Sequence, residues 1–202
     1  MTKTLEVEFG SITSDNVEQL RKVNTVSFPV TYNEGFYQDV VKRNNEHLNK
    51  FAYYNGFVVG AVCTRIEPLP QKSVDNGDGD DDDENSPPKH RLYIMTLAVL
   101  AAYRGRGIGA QLIQSVLDYC EEINAGTIDY ISSSNSNSKS GNSIAIASPK
   151  RIDEVALHVQ ISNEDAMRFY TTKFGFEKGE MVENYYRRID PPHCYLLSKK
   201  FD

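Results

Sequence analysis

Residues 91–114 read RLYIMTLAVLAAYRGRGIGAQLIQ, and everything else in the chain is arranged around this stretch. Its first part is an apolar run with alternating sides: Tyr93, Met95, Leu97 and Val99 on one, Leu92, Ile94, Thr96 and Ala98 on the other. That pattern predicts a strand buried on both faces. Its last part continues to Cys120 and places Ile108, Leu112, Ile113, Val116 and Leu117 on a helical stripe. Between them stands Arg104-Gly105-Arg106-Gly107-Ile108-Gly109. A strand that runs through a glycine-rich turn into a helix makes an anion site. Backbone N–H groups at the helix start are unpaired, and the helix dipole adds about half a positive charge. Glycine lets the backbone approach a ligand closely, and flanking arginines favour one with several phosphates.

The remaining composition narrows the function classes. The chain has 202 residues, 40% of them hydrophobic, which suits one domain (1–202) with insertions. The net charge of −6 misleads, because seven of the 28 acidic residues lie between Asp75 and Glu84. Without them the charges nearly cancel, which argues against direct, specific nucleic-acid binding. Cys63, Cys120 and Cys194 have no metal-ligand spacing and read as free thiols in a reducing compartment. No metal is expected. The start, MTKTLEVEFG, lacks a secretory apolar core, and no run reaches the ~20 residues that span a bilayer. A soluble protein with no membrane attachment is expected, cytoplasmic, with the nucleus as a second location.

Outward from the central stretch, residues 5–9 alternate as a first strand. Thr13 or Ser14 can cap a helix whose inner face is Val17, Leu20, Val23, Asn24 and Val26. That helix must end before Pro29. A second helix is expected over 33–43, with Phe36, Tyr37 and Val40. Asn55-Gly56 between apolar runs signals a hairpin over 51–66. Residues 67–90 are acidic and of low complexity, and residues 124–150 are rich in Ser and Asn. Both read as loop insertions. An acidic arm for a basic partner is the functional alternative for the first. A strand follows over 154–160, then a helix over 163–173 capped by Ser162 or Asn163 and ended by Gly175, with Ala166, Phe169 and Tyr170 inward. Strand-like pieces over 180–189 and 193–198 flank Pro191-Pro192.

The turn admits two ligand readings. Gly105-x-Gly107-x-x-Ala110, with Asp129 about 20 residues on, fits a dinucleotide fingerprint. However, that fold needs the turn after its first strand, and here a β-rich region precedes it. The other reading is Arg-x-x-Gly-x-Gly at Arg104, Gly107 and Gly109, joined downstream by Asn163, Ala166, Tyr170 and the run Lys173-Phe174-Gly175-Phe176. This combination resembles the GNAT superfamily of N-acetyltransferases. The phrases FPVTY, RLYIMTL, YRGRGIG, LHVQISNEDA, FYTTKFGF and NYYRRI resemble, within it, the catalytic subunits of the NatE N-α-acetyltransferases. The likeness covers most of the chain outside the two insertions.

The resemblance implies a mixed α/β fold, with a mostly antiparallel seven-stranded sheet, splayed middle strands and about four helices. It implies acetyl-CoA as cosubstrate, held by Leu97, Ala98, Val99, Arg104, Gly105, Arg106, Gly107, Ile108, Gly109, Ala110, Asn163, Tyr170 and Lys173. Tyr93 and His158 are the candidate bases, since a histidine accepts a proton near neutrality and a tyrosine near 10 mostly does not. The resemblance implies that the pair works through an ordered water, and that Tyr170 protonates the leaving thiolate. An N–H near Leu97 or Ala98 could stabilise the oxyanion. The acceptor is implied to be a nascent peptide N-terminus. Phe28, Pro29, Val30, Tyr32 and Met95 would surround its first side chain, and Tyr185, Tyr186, Arg187, Arg188 and Ile189 would cover its backbone. An apolar pocket favours methionine, with graded discrimination. The implied partners are the NatA catalytic and auxiliary subunits and the ribosome. Lysine or small-amine acetylation and a non-catalytic scaffold role are the alternatives. Deletion of residues 75–84 is expected to leave peptide turnover intact. A large drop in kcat would show that the acidic run serves the site.

Overall fold

A computed structural model describes residues 3–42, 45–69, 89–128 and 151–201. The acidic run from Asp75 to Glu84, Asp129 and most of the Ser/Asn-rich segment lie outside the described residues. Seven strands form one sheet in the order β1-β2-β3-β4-β5-β7-β6. They are β1 (Glu8–Ser11), β2 (Lys50–Tyr54), β3 (Phe57–Pro68), β4 (His90–Val99), β5 (Glu154–Gln160), β6 (Glu177–Val182) and β7 (Cys194–Lys200). Every pairing is antiparallel except β4 with β5. Four α-helices are described: α1 (Val17–Ser27), α2 (Glu34–Lys42), α3 (Ile108–Asn124) and α4 (Glu164–Arg168). The sheet therefore has two cores. Leu112, Ile113 and Val116 of α3 pack with Val59, Val62, Leu92 and Ile94. Leu20 of α1 and Tyr37 and Val40 of α2 pack with Phe51, Ala61 and Cys63.

The hairpin forms as expected, with Asn55 (φ 49°) and Gly56 (φ 77°) both left-handed, the turn that matches strand twist. Several boundaries differ from expectation. Residues 5–7 are not in the first strand. The Leu5 N–H instead donates to the Arg106 carbonyl (3.0 Å), and Gln111 Nε2 donates to the Leu5 carbonyl (2.7 Å). Asn16, not Thr13 or Ser14, is the residue before α1, and Thr13 supplies the carbonyl that Val17 N–H reaches. Val26 is 71% exposed, because it lies off the stripe made by residues 20, 23, 24 and 27. The stretch 163–173 is not one regular helix. It turns from α4 into a π-type turn (Phe169–Lys173), closed by Gly175 at φ 70° with Gly175 N–H on Thr171 and Phe176 N–H on Tyr170. Residues 184–189 form no strand. Asn184 adopts φ 56°, and Tyr186 N–H bonds the Pro192 carbonyl, so this piece is a closed loop.

The central strand holds the most consequential difference. Cys63 pairs with Thr96, but Thr64 pairs with Ile94, so Met95 is an extra residue in β4. A bulge of this kind bends the strand and resets which side each residue faces. Met95 consequently packs in the α1/α2 core, while Leu97 and Val99 pack in the α3 core. Simple alternation placed all three together. Nor is the strand buried on both faces. Leu92, Ile94, Thr96 and Ala98 are buried, whereas Tyr93, Met95, Leu97 and Val99 are only half-buried and border open space.

Gly60 on β3 is packed tightly against Ala98 of β4 and Ile108 and Leu112 of α3. A Cβ there would meet the Ala98 carbonyl oxygen at 2.8 Å. Gly60→Val should therefore cost about 1–3 kcal/mol of stability. A thermal melt is expected to show a Tm roughly 3–10 °C lower; an unchanged Tm would contradict this packing.

Candidate functional site

The β4–β5 pair lasts three rungs: Arg91 with Glu154, Leu92 with Val155, and Tyr93 with Ala156. Beyond them the strands diverge, while β5 remains paired with β7 along its length. The residues after Tyr93 on β4 thus have a free edge towards β5. Such an edge is an incomplete ladder that an extended ligand can join.

A cleft of about 730 Å³ opens at the far end of this divergence. Leu97, Ala98 and Val99 form one wall, and Arg104, Gly105, Gly107, Ile108, Gly109 and Ala110 form its end. Asn163, Ala166, Phe169 and Lys173 supply the facing wall, and Ser27, Phe28 and Pro29 close it. The start of α3 has no side-chain cap: Gly107, at φ 81°, precedes it. Seventeen residues of helix therefore present their first N–H groups to the cleft. Gly105 also takes a positive φ, and a Cβ on Gly107 would meet Thr4 at 2.8 Å. The residues present fit a diphosphate-bearing ligand: unpaired donors, a tight left-handed turn and cations. Arg104 holds the turn to β4 by donating from Nε to the Val99 carbonyl (2.9 Å).

Two residues named from sequence are not in the cleft wall. Arg106 is exposed, and its carbonyl is tied to Leu5. Tyr170 is buried among Phe169 (4.9 Å between centroids) and Phe176 (5.5 Å), and Phe169 lines the cleft instead. The π-type turn accounts for this, because it rotates residues 169–173 relative to a regular helix. Sequence reading did not find Ser27, Tyr103 or Asp165, which also line the cleft. Nor did it find the strap of residues 4–7 across the glycine turn. A strand-like alternation gave no sign of that strap.

On the other side of the divergence lies an aromatic cluster. The Tyr93 hydroxyl is 2.8 Å from His158 Nδ1 and 3.3 Å from the Tyr185 hydroxyl. Tyr185 stacks on the imidazole, with centroids 4.3 Å apart and planes at 20°. Tyr93 and His158 thus touch directly, so a water would serve between this pair and the amine rather than within the pair. Burial pushes the His158 pKa down, Arg91 lowers it further, and Glu67 opposes them. The imidazole is therefore neutral at pH 7, and in the tautomer whose Nδ1–H donates to the Tyr93 oxygen Nε2 is free to accept a proton. Burial pushes the Tyr93 phenol far up, so it remains a donor.

The residues expected as acceptor walls lie in two loop regions, and one of these meets the pair through Tyr185. Phe28 meets Tyr32 edge-on (5.9 Å), and Tyr32 meets Phe36 (4.6 Å). Met95 and Tyr32 pack against the same core cluster. Desolvation raises the Tyr32 and Tyr186 phenols to about 12. Tyr185 meets Tyr186 edge-on (4.9 Å), and Ile189 is half-buried. Arg187 and Arg188 are exposed on the same loop, and Val30 is half-buried beside Pro29. Among the described residues no cluster of His, Cys, Asp or Glu could hold a metal, and no helix is long and apolar enough to cross a membrane.

Residues 17–145 match the acetyltransferase (GNAT) family. The chain is similar to N-alpha-acetyltransferase 50 of Danio rerio, 39% identical over 193 residues, covering 96% of this chain and 88% of that protein. It is equally similar to the probable N-acetyltransferase san of Drosophila melanogaster, 39% over 199 residues, covering 98% and 83%. Among solved structures it resembles Arabidopsis thaliana Naa50 in complex with the bisubstrate analogue CoA-Ac-MVNAL. The TM-score is 0.69 at 36% identity, covering 98% of this chain and all of that one.

The electrostatics of His158 can be checked in solution. Its NMR titration is expected to have a midpoint below the reference value of ~6.5. A midpoint above it would mean that the ring is neither desolvated nor facing Arg91.

Proposed function

The chain belongs to the GNAT acetyltransferase family, and from that premise we propose that it acetylates the α-amino group of proteins whose N-terminus is methionine followed by an apolar residue. It is an acetyl-CoA-dependent N-α-acetyltransferase. The methionine preference is the finer reading. The observation that carries acetyl transfer is the divergence of β4 from β5, with an uncapped helix start and the Tyr93–His158 pair beside it.

Acetyl-CoA supplies the acyl carbon as a thioester, activated toward amines. The cleft residues named above from Leu97 to Ala110, with Asn163 and Lys173, would hold it. The protein's side chains do the rest. A terminal α-amine has a pKa of ~7.7–8.0, so most of it carries an extra proton at pH 7. His158, neutral through burial, is assigned to take that proton, directly or through a water. Tyr93 orients the ring from Nδ1. The amine nitrogen then bonds the acyl carbon as the carbon–sulfur bond breaks; the nitrogen releases its remaining extra proton to solvent water, and the sulfur leaves as a thiolate that takes up one proton. Burial keeps the Tyr170 phenol protonated, which suits the assignment of donor. It packs against Phe169 and Phe176, behind the cleft wall.

Phe28, Pro29, Val30, Tyr32 and Met95 are assigned to the first side chain, and Tyr185, Tyr186, Arg187, Arg188 and Ile189 to the peptide backbone. An apolar, desolvated pocket binds methionine's flexible thioether and leaves the hydroxyl of serine unpaired. Work at the ribosome beside the NatA subunits, in the cytoplasm, belongs to the same reading and rests on resemblance. Co-purification from ribosome fractions would test it.

Four measurements test this reading. A Met-Leu peptide should be acetylated at least ~10-fold more efficiently than one starting with serine; equal rates, or modification of internal lysine alone, would refute the substrate assignment. His158→Ala should lower kcat by about 10²–10⁴-fold and Tyr93→Phe by about 2–10-fold, with acetyl-CoA affinity retained. In the wild type kcat should hold as pH falls from 7 to 6.5 and drop only below, where the imidazole protonates. Gly107→Val should abolish acetyl-CoA binding in a titration; retained affinity would remove the turn from the site.

A further inference from the structure

The glycine turn does not hold its own shape. Gly105 (φ 72°) and Gly107 (φ 81°) flank Arg106. Glycine reaches such angles easily and leaves them as easily. A peptide unit beside a glycine can therefore rotate, exchanging the places of its carbonyl and its N–H, at little steric cost. In a trans peptide these two groups point in opposite directions. Their orientation decides what the turn shows to a ligand: an N–H attracts an anion, and a carbonyl oxygen repels it.

Two carbonyls of the turn are held by other parts of the chain. The Arg106 carbonyl accepts the Leu5 N–H (3.0 Å). No other backbone N–H among the described residues reaches it. The Gly107 carbonyl accepts the Gln111 N–H (3.0 Å) and, at longer range, Gln111 Nε2 (3.4 Å). The same carboxamide grips the strap that carries Leu5. Gln111 Nε2 donates to the Leu5 carbonyl (2.7 Å), and Gln111 Oε1 accepts the Val7 N–H (3.4 Å). Thr4 packs on the turn as well, since a Cβ on Gly107 would meet its Cγ2 at 2.8 Å. One side chain in the first turn of α3 thus ties the start of the chain to the glycine turn.

We propose that Gln111 and the strap at residues 4–7 lock the peptide between Arg106 and Gly107, and so set the affinity of the turn for acetyl-CoA. With the Arg106 carbonyl turned to Leu5, the Gly107 N–H points away from the strap, and Gly107 lines the cleft. That N–H donates to no backbone carbonyl among the described residues, which leaves it for an anion. Released from Leu5, the same peptide turns its carbonyl oxygen toward the diphosphate. Gln111 is not in the cleft wall, so it is a positioning residue that acts through Leu5. The coupling is reciprocal: a strap that strengthens acetyl-CoA binding is itself held more firmly once acetyl-CoA is bound.

This inference rests on the cleft being the acetyl-CoA site. Amide hydrogen exchange of the wild type tests it without any substitution. Saturating acetyl-CoA should slow exchange at Leu5 at least ~3-fold. Two variants test the other direction. Gln111→Leu keeps a good helix former and removes the clamp. Leu5→Pro removes the N–H that holds Arg106, in a segment with no regular structure. Each should raise the Kd for acetyl-CoA about 3–10-fold in a calorimetric titration. In each, kcat at saturating acetyl-CoA and the KM for a Met-Leu peptide should move less than twofold. A strap that only adds stability would lower Tm and leave both the Kd and the Leu5 exchange response unmoved. Unchanged acetyl-CoA affinity in both variants overturns the lock, as does Leu5 exchange that ignores acetyl-CoA. A fall in kcat with intact affinity also overturns it, since the strap would then act on the chemistry. Failure of the wild type to bind acetyl-CoA defeats the proposed function itself; normal wild-type binding with unaffected variants defeats the lock alone.

Discussion

The structure depends on a parallel strand pair that stops early. Three rungs hold β4 to β5, and then both strands continue apart. Inside a sheet, unpaired backbone is expensive, and a protein keeps it only where a ligand or water takes the partner's place. The divergence borders both candidate parts of the site. On one side the free edge of β4 leads to the start of α3. On the other it exposes Tyr93 and His158, which sit on the two separating strands and still reach each other at 2.8 Å.

The closed end of the divergence is held by charge. Arg91 Nε bonds Glu154 Oε1 across the first rung at 2.6 Å, and its NH1 lies 3.8 Å from Glu67 on β3. One guanidinium thus stands between two carboxylates drawn from the strands on either side. The Arg91 and Glu154 side chains are only 15% and 9% exposed. Removing one partner from such a pair typically costs about 3–5 kcal/mol, because the other charge is left buried. The same arginine depresses the His158 pKa. Structural pinning and the protonation state of the candidate base are therefore linked through one side chain.

Much of this was readable in advance where a local rule governs. Asn55-Gly56 demanded a hairpin, and Pro29 demanded the end of α1. Glu154–Gln160 formed as a strand with the expected ends. The glycine turn could be read because its requirements are local: positive φ at Gly105 and Gly107, and an apolar helical stripe after them. Readings failed where a distant segment decided the outcome. Residues 5–7 alternate like a strand, but Gln111 and Arg106 claim their backbone groups. The NYYRRI piece has strand-forming residues, but Asn184 and the Pro192 carbonyl fold it into a loop over His158.

By itself the sequence determined most of the elements and the glycine turn with its helix start, because periodicity, glycine and proline act on nearest neighbours. Only the tertiary structure decided which of those residues meet. The extra residue at Met95 turned that side chain to the α1/α2 core and Leu97 to the α3 core. The π-type turn drew Tyr170 into the core and put Phe169 on the cleft. Both are one-residue slips. A slip costs little locally and leaves no mark in composition or spacing, but it reorients every side chain beyond it, so packing of the whole sheet and its helices has to choose the register.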